Sequence, residues 1–148
     1  MIDFGAGTGI FSIEVARRRP DLKVIALDEQ PRMIELMRAK PAVQQLNNIE
    51  PMLVDGVDSI MGRADRILAI NVLHEVGDDA LREMVHLLKP DGAALIIDWD
   101  SGIDRSVGPP KGHTHTLDEA RERLSKAGFQ VETLHLRYHF VFRCRPSA

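Results

Sequence analysis

Short β-branched or aliphatic runs alternate with longer amphipathic ones along this chain, and that alternation limits the possible folds more than any other feature. Ile2 to Phe4 reads as a strand that breaks at a glycine turn. Ile10 to Arg19 follows as a helix, with Phe11 and Val15 four apart on one face and Pro20 stopping it. Lys23 to Leu27 is a second buried strand. Pro31 suits the first position of the next helix, and Met33, Ile34 and Met37 give that helix its apolar face up to about Ala39. Asn47-Asn48 turns the chain into a third strand, Ile49 to Val54, interrupted early by Pro51. Arg66 to Ile70 is a fourth strand, and Asp79 to Lys89 a helix with Leu81, Val85 and Leu88 along one side. Pro90-Asp91-Gly92 then leads into a fifth strand, Ala93 to Trp99.

Alternating strands and helices imply an α/β fold: a doubly wound, mostly parallel sheet with right-handed crossovers and helices on both faces. Past Trp99 the pattern changes. Asp100 to Thr114 is a loop rich in Gly and Pro, and Thr116-Leu117-Asp118-Glu119 has the form of a capping box opening a last helix. Gly128 closes that helix. Two final strands, about Gln130 to Leu136 and Tyr138 to Arg143, have little between them and should pair as an antiparallel hairpin. At 148 residues the chain, 1–148, is read as a single domain.

Ligands of such sheets bind at the carboxyl ends of the strands, where the strand order reverses. The candidate residues lie at such ends. Asp3-Phe4-Gly5-Ala6-Gly7-Thr8-Gly9 follows a strand and opens a helix, where glycines let the backbone turn tightly and a ligand approach closely. A dinucleotide loop reads G-x-G-x-x-G. Its third glycine would stand at position 10, which is Ile10 here, and the spacing is instead G-x-G-x-G with an acid two residues before the first glycine. A further acid, Asp28, ends the second strand about twenty residues beyond the loop, the offset at which a carboxylate accepts ribose hydroxyls. Glu29 beside it competes for that role.

The Asp3 to Gly9 loop, with Asp28 after it, resembles the first motifs of the class I S-adenosylmethionine-dependent methyltransferases, whose fold is Rossmann-like. The resemblance continues through Leu53-Val54-Asp55-Gly56, Asn71-Val72-Leu73-His74-Glu75-Val76, Leu87 to Trp99, and Gly108-Pro109-Pro110 ahead of Ala127-Gly128-Phe129. The later stretches look like the small-molecule, quinone-biosynthesis-like branch. The resemblance implies S-adenosyl-L-methionine as cofactor and methyl transfer to a small-molecule acceptor. It implies a cofactor site of Asp3, Gly5, Ala6, Gly7, Gly9, Asp28, Glu29, Asp55, Gly56 and Asn71. Within it Asp55 accepts from the adenine amine, the backbone after it reaches a ring nitrogen, and Asn71 sits by the methionine part. A hydroxyl or acidic-carbon acceptor also needs a base, for which His74, His113 and His115 are the candidates. Asp98, Trp99 and Asp100 line the acceptor pocket or merely finish the fifth strand.

Two other readings compete. One is an NAD(P)-binding oxidoreductase using the same loop, opposed by Ile10. The other is a non-catalytic, methyltransferase-like binding subunit. Family members carry at least one helix before the first strand, usually lidding the cofactor, whereas this chain starts inside that strand. The expectation is an N-terminally truncated domain with exposed apolar surface, which a homodimer or a partner would cover.

Composition closes off other classes. A net charge of −3 lacks the basic footprint of a nucleic-acid binder, and Arg17-Arg18-Arg19 complements a helix C-terminus. Cys144 is the one cysteine, so no internal disulfide forms, and a cytoplasmic location fits. No apolar run approaches a membrane span, no secretory signal opens the chain, and His113-x-His115 without a nearby Cys or acid makes no metal site.

Overall fold

A computed structural model describes residues 1–147. Among them, β1 (Ile2–Phe4), β2 (Val24–Asp28), β3 (Ile49–Leu53), β4 (Ala64–Ile70), β5 (Leu88–Trp99), β6 (Phe129–His135) and β7 (His139–Pro146) form one sheet in the order β3-β2-β1-β4-β5-β7-β6. The first five are parallel; β7 runs antiparallel to both β5 and β6. The chain therefore winds outward from β1 in one direction to β3, then returns to β4 on its other side. That reversal opens a crevice beyond the ends of β1 and β4.

Helices cover both faces. α1 (Ile10–Arg18), α2 (Pro31–Arg38) and a short α3 (Pro41–Gln44) pack over β2 and β3 through Ile13, Ile34, Met37 and Val43. α4 (Asp78–Leu87) and α5 (Leu117–Ala127) cover the other face through Leu81, Met84, Leu87, Ala120 and Leu124, against Ile67, Ala69, Ala94, Ile96, Phe140 and Phe142. Cys144 lies in that core, and burial pushes its thiol up to about 12, so it stays protonated and inert.

Local chemistry sets the boundaries. Thr116 and Glu119 form the expected capping box, and Gly128 ends α5 in the left-handed region at φ 108°. The side-chain amide of Asn48 donates to the carbonyls of Ala16, Arg19 and Leu22, closing the C-terminal end of α1. Pro51 does not interrupt β3. The strand is at the sheet edge, and the Pro51 carbonyl faces outward to accept from Arg38, so the missing N–H faces outward too.

Three expectations are corrected. Phe11 and Val15 do not form the buried face of α1. The helix docks through Ser12, Ile13 and Ala16, leaving Phe11 45% and Ile10 68% exposed. The third strand ends at Leu53, because Val54–Ile60 winds into a 3-10 helix. Pro90-Asp91-Gly92 is an excursion within β5 rather than a turn before it: Leu88 already pairs with Ala64, and pairing resumes at Arg66 with Ala93. As expected, Asp28 ends the second strand, which begins at Val24.

Candidate functional site

The loop from Gly5 to Gly9 is held by its own backbone. The Ala6 N–H donates to the Leu27 carbonyl at 2.9 Å, and the Gly9 N–H to the Ala6 carbonyl at 2.9 Å. Three glycines serve two purposes. A Cβ on Gly5 would lie 2.6 Å from Val72, and one on Gly9 2.8 Å from Met37, so both are required by packing. A Cβ on Gly7 would meet nothing within 4 Å. Gly7 alone faces open space.

Asp28 fastens this loop to β2. Its carboxylate is 7% exposed and accepts from the Gly7 N–H at 2.8 Å and the Gln30 N–H at 2.9 Å, one on each oxygen. Each oxygen keeps a second lone pair for a ligand hydroxyl. Beyond it opens a cleft of about 360 Å³ lined by Gly5, Gly7, Asp28, Glu29 and Asn71 of the expected residues. Phe4, Leu27, Gln30, Met33, Val54, Val72, Glu75, Val76, Ala80 and Glu83 complete the lining. Asn71 is held in the left-handed region at φ 56°, with its N–H on the Ile97 carbonyl. An amide residue tolerates that conformation better than most, and strain of this kind gathers at ligand sites.

Five expected residues do not line the cleft. Asp3 turns beneath the loop, 2% exposed, and accepts from the Ser12 hydroxyl at 2.5 Å. Ala6 spends its N–H on Leu27, and Gly9 is pressed against Met37. The 3-10 helix turns Asp55 out to solvent and keeps Gly56 away.

Burial pushes the Asp3 carboxyl up to about 6, against the opposing hydrogen bond from Ser12. The folded chain thus keeps this proton up to about pH 6, while the unfolded chain releases it near 3.8. Stability falls as pH rises through that window, and the whole penalty, about 2–3 kcal/mol, stands above it. Asp3→Asn is expected to be more stable than the parent chain at pH 7.5 and no more stable at pH 3.5. Denaturant unfolding at the two values reads the difference; equal stability at both would remove the burial argument.

A second cleft, about 510 Å³, adjoins the first at Glu75, which lines both. His74, Pro109, Gly112, His113, Thr114 and His115 surround it. The three histidines differ in their bonding. The His74 backbone N–H donates to Asp98 Oδ2 at 3.0 Å, and ring Nδ1 lies 2.8 Å from Asp98 Oδ1. Asp98 is 1% exposed at the end of β5. A carboxylate only accepts, so Nδ1 carries the hydrogen, and in the neutral ring Nε2, 3.5 Å from Glu75, keeps the lone pair. His115 Nε2 is occupied, accepting from Arg123 at 3.0 Å, and burial, then the Arg123 charge, hold its pKa below the usual value. Arg123 also donates to the Leu73 and Val76 carbonyls, so α5 fastens the His74 loop in place. His113 is exposed.

Among the described residues no group of three or more His, Cys, Asp or Glu is placed to hold a metal, and no helix is long and apolar enough to cross a membrane.

Comparison with known proteins places this geometry. A protein family described as a methyltransferase domain matches residues 1–92. The magnesium-protoporphyrin O-methyltransferase of Rhodobacter capsulatus is 24% identical over 158 residues, covering 97% of this chain and 69% of the relative. Methyltransferase str3 of Strobilurus tenacellus is 28% identical over 121 residues, covering 77% of this chain and 42% of the relative. The chain thus spans less than half the length of the second. A crystal structure of a SAM-dependent methyltransferase from Aquifex aeolicus superposes with a TM-score of 0.87 at 25% identity, over 97% of this chain and 79% of that one. With a family match over most of its length and that fold, the chain belongs to the methyltransferase-domain family and is a class I S-adenosylmethionine-dependent methyltransferase.

Proposed function

We propose that this chain methylates a small molecule, with S-adenosylmethionine in the cleft at Gly7 and the acceptor in the histidine cleft beside it. The observation that carries the reading is Glu75, which lines both clefts and brings them together next to the His74–Asp98 pair. The names of the Rhodobacter and Strobilurus relatives agree with a methyltransferase, and the former with transfer to an oxygen.

The first cleft fits such a cofactor. Asp28, Glu29, Glu75 and Glu83 line it, with no Lys, Arg or His among the lining residues. Four carboxylates suit a sulfonium cation and repel a pyrophosphate, which counts against the dinucleotide reading. Gly5, Gly7 and Asn71 would hold the amino-acid portion, Asp28 and Glu29 the ribose, and the apolar walls the ring. Bound there, S-adenosylmethionine supplies an activated methyl group for in-line displacement. The residues of the chain position the acceptor, exclude water, and at His74 Nε2 take the proton that a hydroxyl acceptor loses.

Calorimetric titration with S-adenosylhomocysteine and with NAD tests the reading. Binding of the first alone is expected, and Asp28→Ala weakens it at least tenfold, because both the ribose and the Gly7 N–H lose a charged acceptor. NAD binding as tight as S-adenosylhomocysteine, or neither binding, would sink it. Self-association over the exposed Ile10, Phe11 and Leu95 side chains belongs to the same reading. Sedimentation of the titrated sample reads it, and a monomer at high concentration removes it. A cytoplasmic location agrees with the single buried thiol.

A further inference from the structure

Trp99 ends β5 but lines neither cleft. Its indole ring belongs to a stack instead. His139, its partner on β7, lies with ring centroids 4.0 Å apart, and the Arg105 guanidinium stands 5.0 Å from the indole centroid. A cation over an indole face is attracted by the ring's quadrupole. The chain after Arg105 presses on the same ring. A Cβ on Gly108, held at φ 85°, would lie 2.9 Å from it, so only glycine lets the backbone come this close.

Arg105 spends its other contacts on its own loop. It donates to the Pro109 carbonyl at 2.7 Å, the Val107 carbonyl at 3.3 Å and the Thr114 hydroxyl at 3.2 Å. Its Nε is buried with no partner among the described residues. An unpaired buried donor is costly, so the ring and the loop contacts must outweigh that cost. The loop is closed at its base, where Asp100 bridges to His115 and the Ser101 N–H donates to the His115 carbonyl at 3.0 Å. It is a compact loop filled by one of its own side chains. Pro109 and Thr114 line the acceptor cleft, whereas Arg105 reaches that cleft only through them.

We infer that Arg105 is a positioning residue for the acceptor: held against Trp99, it fixes the Pro109 and Thr114 wall of the histidine cleft and so sets how tightly the acceptor is held beside His74. This rests on the acceptor reading above. The stack has a second connection, because the Trp99 N–H donates at 2.7 Å to Asp98 Oδ1, the oxygen facing His74 Nδ1. Acting through Asp98, loss of the stack would lower kcat; acting through the wall, it raises KM and spares kcat.

Trp99 is the one tryptophan of the chain, so its fluorescence reports the stack directly. Acrylamide quenching is measured in the parent chain, Arg105→Ala, Arg105→Lys and Gly108→Ala, beside titration with S-adenosylhomocysteine. Both alanine variants are expected to raise the quenching constant about threefold or more, with cofactor affinity within about twofold of the parent. Arg105→Lys keeps the cation but loses the fork, so it should restore only part of the shielding. With catechol as a small hydroxyl probe, the alanine variants should raise KM about tenfold or more and change kcat by less than about threefold. Unchanged quenching in the folded variants overturns the inference, as does an unchanged KM or a fall in kcat alone, which would give the stack to Asp98. If Arg105→Ala does not fold, Gly108→Ala decides, since it forces the loop off the ring with the arginine intact. A parent chain that binds S-adenosylhomocysteine but leaves catechol unmethylated counts against the acceptor reading, and quenching then decides whether Arg105 holds the loop. Failure to bind S-adenosylhomocysteine at all removes the cofactor reading instead.

Discussion

His74→Ala is expected to lower kcat for a hydroxyl acceptor by about 10²- to 10⁴-fold, with the affinity for S-adenosylhomocysteine unchanged. His74 lines the acceptor cleft and does not line the cofactor cleft. Its Nδ1 is committed to Asp98 at 2.8 Å, which leaves Nε2 as the basic nitrogen. Asp98→Asn separates orientation from bulk. The amide can donate to Nδ1 and so favours the wrong tautomer, and kcat should fall in that variant although the ring stays in place. His115→Ala should cost far less, because the lone pair of His115 is already taken by Arg123. Single-turnover rates with saturating acceptor distinguish these variants. Undiminished turnover in a folded His74→Ala chain would mean that the acceptor reaches the site already ionised, or that His113 is the base.

How much of this was legible in the sequence depended on whether a residue's role was settled within a few positions of it. The position of Asp28 and Gly7 at the cleft was legible because a strand end and a turn are local events, and the Gly7 N–H on Asp28 then joins two such ends. The place of Asn71 at the cleft was legible for the same reason. Asp55 stands away from the cleft because the third strand ends at Leu53 and the 3-10 helix that follows leaves this residue exposed. Asp3 was seen as an acid, but its direction depends on the phase of α1, which presents Ser12 to it. That phase was also misread: the spacing of Phe11 and Val15 satisfies a helical period, yet Ile13 and Ala16 meet β2 and β3. Asp98 and Glu83 could not be assigned from spacing. One is joined to His74 across a 24-residue separation, and the other looks like an ordinary helix charge until α4 is laid against the cleft.

Gly7→Val is expected to abolish S-adenosylhomocysteine binding, a loss of more than about 100-fold, while leaving a folded chain. The space into which its Cβ would project holds no protein atom within 4 Å, so the valine methyls occupy ligand volume rather than core. Backbone strain is the competing explanation, because Gly7 sits at φ 55°, where an L side chain costs roughly 1–2 kcal/mol. Gly7→Ala carries most of that strain with only one methyl, so the step from alanine to valine isolates the steric part. Gly5→Ala supplies the opposite control. Its Cβ would lie 2.6 Å from the buried Val72, so it should lower the melting temperature more than either change at Gly7. Melting curves and calorimetric titration of the three variants separate the cases. If Gly7→Val binds as tightly as the parent chain, the loop is a structural turn, and the cofactor does not pass over it.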